Sequence, residues 1–175
     1  MATRGDLQRL RARLAELRAQ GARAPLTAEG HDALARLARH LLDVVTAARR
    51  VEARLADSRG LALEDARGLL AEAVRLEREA AVEVVVQLRR AGRIRSAARA
   101  YLALIQRAAR DHQFHDLLAG FGHLLEEHGQ PAAGAVRALA ASLPPDLATD
   151  ANARELTDEA LAALRVDWPK LPERG

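Results

Sequence analysis

A pattern of small and apolar residues occurs twice in the chain, 37 residues apart, and it limits the folds open to the sequence. In each copy a leucine is followed, at intervals of four, five and four residues, by a glycine, a small residue and one further residue. The two sets are Leu88, Gly92, Ala97 and Tyr101, and Leu125, Gly129, Gly134 and Ala138. This spacing is typical of a helix that ends at a glycine turn and a second helix whose small residue allows close packing on the first. The pattern predicts antiparallel helical hairpins, an architecture that commonly forms binding surfaces.

The composition favours helices along the whole chain. Apolar residues make up 49% of the 175 residues and aromatic residues only 2%, so the apolar fraction is mostly Ala, Leu and Val. Ala, Leu, Arg and Glu are strong helix formers. The sequence therefore predicts an all-α fold of antiparallel helical hairpins, either a helical bundle or a short α-solenoid, with an amphipathic helix at the N-terminus.

Glycines and prolines divide the chain into three predicted parts. Residues 1–25 comprise the N-terminal amphipathic helix and a linker, residues 26–145 a helical-hairpin body, and residues 146–175 a capping helix and an extended tail. In the body, two long helices are expected to lie antiparallel across a short turn. The predicted helices cover residues 4–19, 27–57, 62–90, 94–110, 113–128, 132–143 and 152–165.

Four leucines near the N-terminus follow the 3-4-3 spacing of a coiled-coil seam, and these are Leu7, Leu10, Leu14 and Leu17. Two heptads are too few for a stable coiled coil by themselves. The helix is therefore expected to dock on the body of the protein or on another copy. These leucines are the candidate oligomerisation residues of a homodimer.

Several kinds of chemistry lack the residues that they need. The chain has no cysteine, which excludes disulfides, a thiol nucleophile and a Cys-ligated zinc site. It shows no Gly-rich phosphate loop, no suggestive Ser, His and Asp arrangement and no His-Glu-x-x-His pattern. We therefore expect a non-enzymatic protein without a cofactor or metal. Because neither a secretory signal nor a long uncharged apolar run is visible, we also expect a cytoplasmic protein without membrane contact.

Residues 89–110 contain seven arginines and no acidic residue. Within this basic segment the candidate contacts to nucleic acid are Arg93, Arg95, Arg99 and Arg110, since such a patch can hold phosphates through counterion release. The simpler interpretation is the solvated face of an amphipathic helix, because the formal net charge is only +3 and few aromatic rings are present to stack on bases. A nucleic-acid-binding accessory protein is therefore the alternative function and the less favoured one.

The next predicted helix carries acids and histidines along one stripe. His112 and Asp116, and again His123 and Glu127, have the i, i+4 spacing with which a histidine and a carboxylate can share a metal. These residues face away from the apolar side of the helix, and no second helix offers matching ligands, as a di-metal bundle requires. Surface pairs are expected here in place of a metal site.

Residues 79–145 resemble the tetratricopeptide repeat, a two-helix unit that stacks into solenoids. In the second copy the motif positions are held by Leu118, Phe121-Gly122, Leu125, Gly129, Gly134, Ala138, Ala141 and Pro145. In the first copy Gly92, Ala97 and Tyr101 fit, whereas Val84-Val85 stands where the family has a Leu-Gly pair. The resemblance covers under half of the chain and implies a concave groove lined by the first helix of each unit.

The groove implied by this resemblance mixes acids, two arginines and a short apolar strip. Its positions are Glu79, Val82, Glu83, Val86, Arg89 and Arg90 in the first copy, and Asp116, Ala119, His123, Glu126 and Glu127 in the second. It lacks the Lys, Asn and Arg arrangement with which family members clamp a C-terminal carboxylate, so the implied ligand is an extended or helical peptide with basic and apolar residues. We expect an interaction or scaffold protein whose partner-binding residues are Glu83, Arg89, Arg90, Asp116, His123 and Glu127.

Overall fold

The computed structural model describes residues 3–56, 60–108, 112–144 and 151–173, without the side chains of residues 112 and 151–153. Across these ranges the chain is all-α, as predicted, and contains no strand. The helices in this part of the chain are α1 (Arg4–Arg23), α2 (Ala28–Leu55), α3 (Leu61–Arg90), α4 (Ile94–Arg107), α5 (His112–Glu127), α6 (Ala132–Ser142) and α7 (Ala151–Ala163), followed by a 3-10 helix at Trp168–Lys170. The chain divides into two compact units, Met1–Ala91 and Gly92–Gly175, which we call unit 1 and unit 2.

Unit 1 consists of the long α2–α3 hairpin and the shorter α1. The leucine seam of α1 is buried in the core of the unit, where Leu7, Leu14 and Leu17 pack with residues of α2 and α3, and Leu10 lies at the edge of the same core. Burial of this apolar stripe is what holds an otherwise charged helix on the hairpin. The four candidate oligomerisation residues therefore contact the chain's own body, and in this fold the seam is not open to a second copy.

Ion pairs set the register of α1 on α3. Three arginines at seven-residue intervals along α1 meet acids of α3, in the pairs Arg4–Asp65, Arg11–Glu72 and Arg18–Glu83. The paired residue numbers increase together along both helices, so α1 runs parallel to α3. The first pair is exposed and contributes little to stability, whereas Glu83 is buried. The third pair therefore fixes the position of α1 more strongly than the first.

α1 continues to Arg23, four residues beyond the predicted end. Gly21 does not end the helix but lies inside it, against α3. A Cβ atom at this position would overlap the side-chain amide of Gln87. That amide is buried and donates a hydrogen bond of 2.7 Å to the Glu83 carboxylate, and the Arg90 guanidinium donates one of 2.6 Å to the Gly21 carbonyl. Gly21 thus serves close helix packing, where the sequence suggested a helix end.

Unit 2 is built around the α5–α6 hairpin. Gly129 ends α5 with a left-handed φ of 61°, as the glycine turn predicts. The apolar side of α5 is fully buried, with Phe114, Leu118 and Phe121 at its centre. Tyr101 of α4 packs on this side, its ring centroid 5.8 Å from that of Phe121.

The repeated pattern has different outcomes in its two copies. The first is divided between the units, with Leu88 in unit 1 and Ala97 and Tyr101 in unit 2, so only the second copy forms a hairpin inside one unit. In that hairpin the prediction for Gly134 is wrong, because the residue is exposed and a Cβ there would meet open space. The close approach occurs at Gly122, whose added Cβ would lie 3.2 Å from Cγ of Arg137 and 3.4 Å from Cγ1 of Val136, both in α6.

We predict opposite effects of alanine at two helical glycines of unit 1. Gly68→Ala, at a site with open space around it, should raise the free energy of unfolding by up to about 1 kcal/mol through helix propensity. Gly21→Ala should lower it by about 1–2 kcal/mol, because displacing Gln87 breaks a buried hydrogen bond that outweighs the propensity gain. Urea unfolding followed by circular dichroism measures both, and equal stabilisation by the two variants would show that Gly21 is not a packing residue.

Candidate functional site

Two of the three predicted partner-binding residues of α3, Glu83 and Arg90, contact α1 in unit 1. Glu83 is buried and accepts a hydrogen bond of 3.0 Å from Arg18, and Arg90 bonds to the Gly21 carbonyl. Arg89, the third residue of this set, is half-buried. Because the amphipathic α1 must bury its leucines, it lies against the part of α3 that carries these two residues. Glu83 and Arg90 therefore help to hold α1 in place, and their role in binding a partner stays a prediction.

The predicted residues of α5 lie in unit 2 beside a shallow depression between α5 and α6, which we call the α5–α6 trough. It has a volume of about 570 Å³ and is lined by His115, Asp116, Ala119, His123, Glu126, Arg137, Ala140 and Ala141. Four of these residues were assigned to the groove by the resemblance. Glu127, the remaining predicted residue, lies at the edge, its Oε1 atom 3.1 Å from Nε2 of His123.

The trough is lined by charged and polar side chains and by three alanines. Arg137 of α6 donates from Nη1 to both carboxylate oxygens of Glu126, at 2.7 and 2.8 Å, and so joins the two helices across the trough. Asp116, which is exposed, adds negative charge to the trough, and Glu127 lies beside His123 at its edge. Among the residues whose positions are given, no group of three or more His, Asp or Glu side chains could hold a metal ion. The side chain of His112 lies outside the described residues.

A second polar arrangement surrounds the first turn of α4. The residue at the N-cap position is Arg93, which makes no side-chain capping bond, and an arginine has no acceptor atom to offer the free N–H groups. Residues 167–173, which we call the tail segment, supply the acceptors. The Pro172 carbonyl accepts from the Arg95 N–H at 3.0 Å, and the Glu173 carboxylate accepts from the Ser96 N–H at 2.9 Å and from the Ser96 hydroxyl.

The arginine side chains of α4 hold the same tail segment. The Arg95 guanidinium donates to three backbone carbonyls, those of Trp168 at 2.9 Å, Pro169 at 3.2 Å and Leu171 at 3.1 Å. Arg99 lies over the Trp168 ring, 5.5 Å from its centroid, in a cation–π contact. Nε of Arg93 lies 3.5 Å from Oε1 of Glu173.

Three of the four candidate nucleic-acid contacts are thus occupied within unit 2, and the fourth, Arg110, lies outside the described residues.

The tail also departs from the predicted extended form, because Trp168–Lys170 is a 3-10 helix and Leu171 is only 1% exposed. Docking is completed by Gln130, whose side-chain oxygen accepts from the Asp167 N–H at 2.9 Å. One feature of the sequence indicates such a contact: Arg93 stands where a helix start favours Ser, Thr, Asp or Asn.

Unit 1 carries one further apolar feature, a cleft at the end of the α2–α3 hairpin nearest the start of α1. It has a volume of about 560 Å³, and its walls include Val51, Leu55, Ala66 and Leu69. Arg4 and Asp65 lie at its edge and pair with each other.

No helix within the described ranges is both long and apolar enough to cross a membrane. Comparison of the chain with protein-family models, with curated proteins and with solved structures finds no match. The resemblance to the tetratricopeptide repeat therefore stays a prediction.

The Glu173 carboxylate is the acidic anchor of the tail segment. Burial raises its pKa, but hydrogen bonds from Ser96 and the positive charge of Arg93 together lower it by more. The pKa of Glu173 therefore lies below its ordinary value of 4.5. Because its pKa is lowered in the folded state, this carboxylate contributes fully to docking of the tail segment at any pH above its ordinary pKa. The contribution is lost as the pH falls through the lowered pKa.

We predict that Glu173→Gln loosens the tail segment at pH 7. Trp168 is the only tryptophan, so its fluorescence and its quenching by acrylamide report docking directly. The variant should show a red-shifted, more quenchable Trp168, and it should lose the acid transition that wild type shows below about pH 4.5. Glu155→Gln, an exposed position on α7, is the matched control. Identical acid transitions in wild type and Glu173→Gln would contradict the assignment.

Proposed function

We propose that this protein is a non-enzymatic interaction module that binds a peptide or protein segment in the α5–α6 trough of unit 2. One observation carries the proposal: four α5 residues assigned to a ligand groove from sequence line one depression between two packed helices, and these are Asp116, Ala119, His123 and Glu126.

The lining of the trough favours a ligand with basic and apolar side chains. Ala119, Ala140 and Ala141 leave room over the floor for aliphatic groups. Asp116 and Glu127 provide negative charge for Lys or Arg at the walls, in the way that charge complementarity selects partners at interfaces. A helical or extended peptide with one apolar face and basic flanks satisfies both requirements.

The packing beneath the trough makes it a rigid surface. Phe114, Leu118 and Phe121 are fully buried on the opposite side of α5, and Gly122 allows α6 to approach closely. A site built on packed helices loses little conformational freedom when a ligand binds. This rigidity supports recognition of a segment without a large rearrangement of the unit.

Nucleic-acid binding through α4 is the alternative function, and the contacts in unit 2 do not favour it. Arg95 and Arg99 are already engaged by the tail segment, and Arg93 lies beside Glu173. Phosphates would first have to displace these contacts. A basic peptide finds at least one exposed carboxylate at the trough, that of Asp116.

We predict that reversing the charge of the trough abolishes its preference for basic ligands. The probe is a fluorescein-labelled amphipathic peptide of Leu and Lys, about 14 residues long, with a Leu and Glu peptide for comparison. Asp116→Lys with Glu127→Lys should weaken binding of the basic peptide about tenfold, which corresponds to about 1.4 kcal/mol. Fluorescence anisotropy at moderate salt measures the affinity.

The control for this experiment carries the same change in net charge elsewhere in unit 2. Glu155→Lys with Glu159→Lys places both reversals on exposed positions of α7 and should leave the affinity within about twofold of wild type. An equal loss in the two double variants would mean that the peptide responds to net charge alone, and the trough would then not be the site.

A further inference from the structure

We propose that unit 1 binds a second copy of this chain at the end of its hairpin where α2 ends and α3 begins. The apolar cleft described above and the exposed Leu61 form one surface there, which we call the hairpin-end patch. It comprises Leu61, the Arg4–Asp65 pair and the cleft walls around Val51, Leu55 and Leu69. The patch shares no residue with the α5–α6 trough, so the proposal stands apart from the function proposed above.

Leu61 is a large apolar side chain that unit 1 leaves in solvent. Its exposed fraction is 80%, the highest among the exposed large apolar residues of the described ranges. A leucine exposed by itself needs no explanation, but one that adjoins an apolar cleft enlarges a single apolar surface. Leu61 precedes Asp65 by one helical turn, and Asp65 and Ala62 both line the cleft. The leucine therefore lies beside the rim of the cleft and outside it.

The cleft favours an aliphatic occupant. Seven of its ten lining residues are Ala, Val or Leu, and none is aromatic. Val51, Leu55 and Leu69 are only half-buried, so each keeps apolar surface whose removal from water would be favourable. Of the polar lining residues, Thr3 already uses its hydroxyl in the cap of α1, where it bonds with Asp6. A leucine side chain matches this lining.

The hairpin-end patch carries both a protruding leucine and a cleft that fits one, so it is complementary to itself. In a two-fold dimer the same surface of each copy meets the other, and every contact across the axis occurs twice. Leu61 of each copy then enters the cleft of the other copy. A small apolar ligand would fill the cleft but leave Leu61 in water, whereas a second copy covers both features.

The charges at the rim of the cleft are complementary to themselves in the same way. Nη2 of Arg4 lies 3.1 Å from Oδ1 of Asp65, and the two side chains are 69% and 75% exposed, so this pair contributes little within one chain. Across a two-fold axis, Arg4 of each copy meets Asp65 of the other, and the four charges alternate in sign. A rim with one sign of charge would repel its own copy. Charge complementarity therefore favours a second copy as the occupant.

The test is sedimentation equilibrium of the full chain, in which wild type should form a reversible dimer in the micromolar range. Leu61→Glu should weaken dimerisation at least about 100-fold, because each dimer loses two buried leucines worth about tenfold each. This variant should keep its fold, since the position is exposed and an acid suits the first turn of a helix.

Leu42→Glu is the matched control. Leu42 is also exposed, at 39%, and it lies on the opposite face of α2 from Val51, nine residues away along the helix. The control should leave the dimer dissociation constant within about twofold of wild type. Circular dichroism of both variants checks that the helices are intact.

Exchange of the rim charges tests the two-fold arrangement itself. Arg4→Glu and Asp65→Arg each place like charges opposite one another across the axis, and each variant alone should dimerise about tenfold more weakly than wild type. In an equimolar mixture of the two variants, both pairs across the axis join opposite charges. The mixture should therefore form heterodimers about as tightly as wild type forms its dimer, within about threefold.

Three results would overturn the proposal. The first is a wild type that stays monomeric up to millimolar concentration, and saturable binding of octanol by that monomer would assign the cleft to a small apolar ligand. The second is equal weakening of the dimer by Leu61→Glu and Leu42→Glu. The third is a mixture of the two charge variants that associates no better than either alone. Leu61→Glu should bind the Leu and Lys peptide as wild type does, so failure of this surface is distinguishable from failure of the trough.

Discussion

The first turn of α4 has N–H groups that its own flanking sequence does not satisfy, because an arginine occupies the N-cap position. Unit 2 meets this requirement with the backbone and the carboxylate of a segment more than seventy residues away. The positive end of the helix, the two arginines beside it and the acidic tail segment form one electrostatic arrangement. The docking of residues 167–173, the burial of Leu171 and the occupation of Arg95 and Arg99 all follow from it.

In unit 1 the main constraint is different, because the highly charged α1 has to be held on the α2–α3 hairpin. Its leucines supply the apolar contact, but leucines alone would allow α1 to slide along the groove. The polar contacts around Gly21 fix the position, because the Gln87 amide fits only where α1 has no side chain. Glu83 and Arg90 belong to this arrangement. Charged residues that look available for a partner in the sequence are thus used to set helix register.

The sequence predicts local features of this protein well, since helix periodicity and turn glycines act over a few residues. The bounds of α2 and α3 and the left-handed Gly129 are examples. Contacts between distant segments were not predictable in the same way. Nothing adjacent to Gly21 indicates that Gln87 will lie against it, and nothing adjacent to Arg95 indicates which segment will supply its acceptors. Of the candidate site, the α5 residues could be grouped from the sequence because they share one helix, whereas the contacts of Glu83 and Arg90 with α1 could not be predicted. The binding role of both sets stays a prediction.

The separation between α4 and its tail segment has a consequence for the order of folding. The α5–α6 hairpin joins neighbours in sequence and can form early, since closing a short loop costs little entropy. The contacts at the start of α4 can form during synthesis only after residues 167–173 have been made, 69–80 positions after the α4 residues that they contact. Through that interval the basic turn is exposed to any acidic chain nearby. This part of unit 2 is therefore completed late in synthesis.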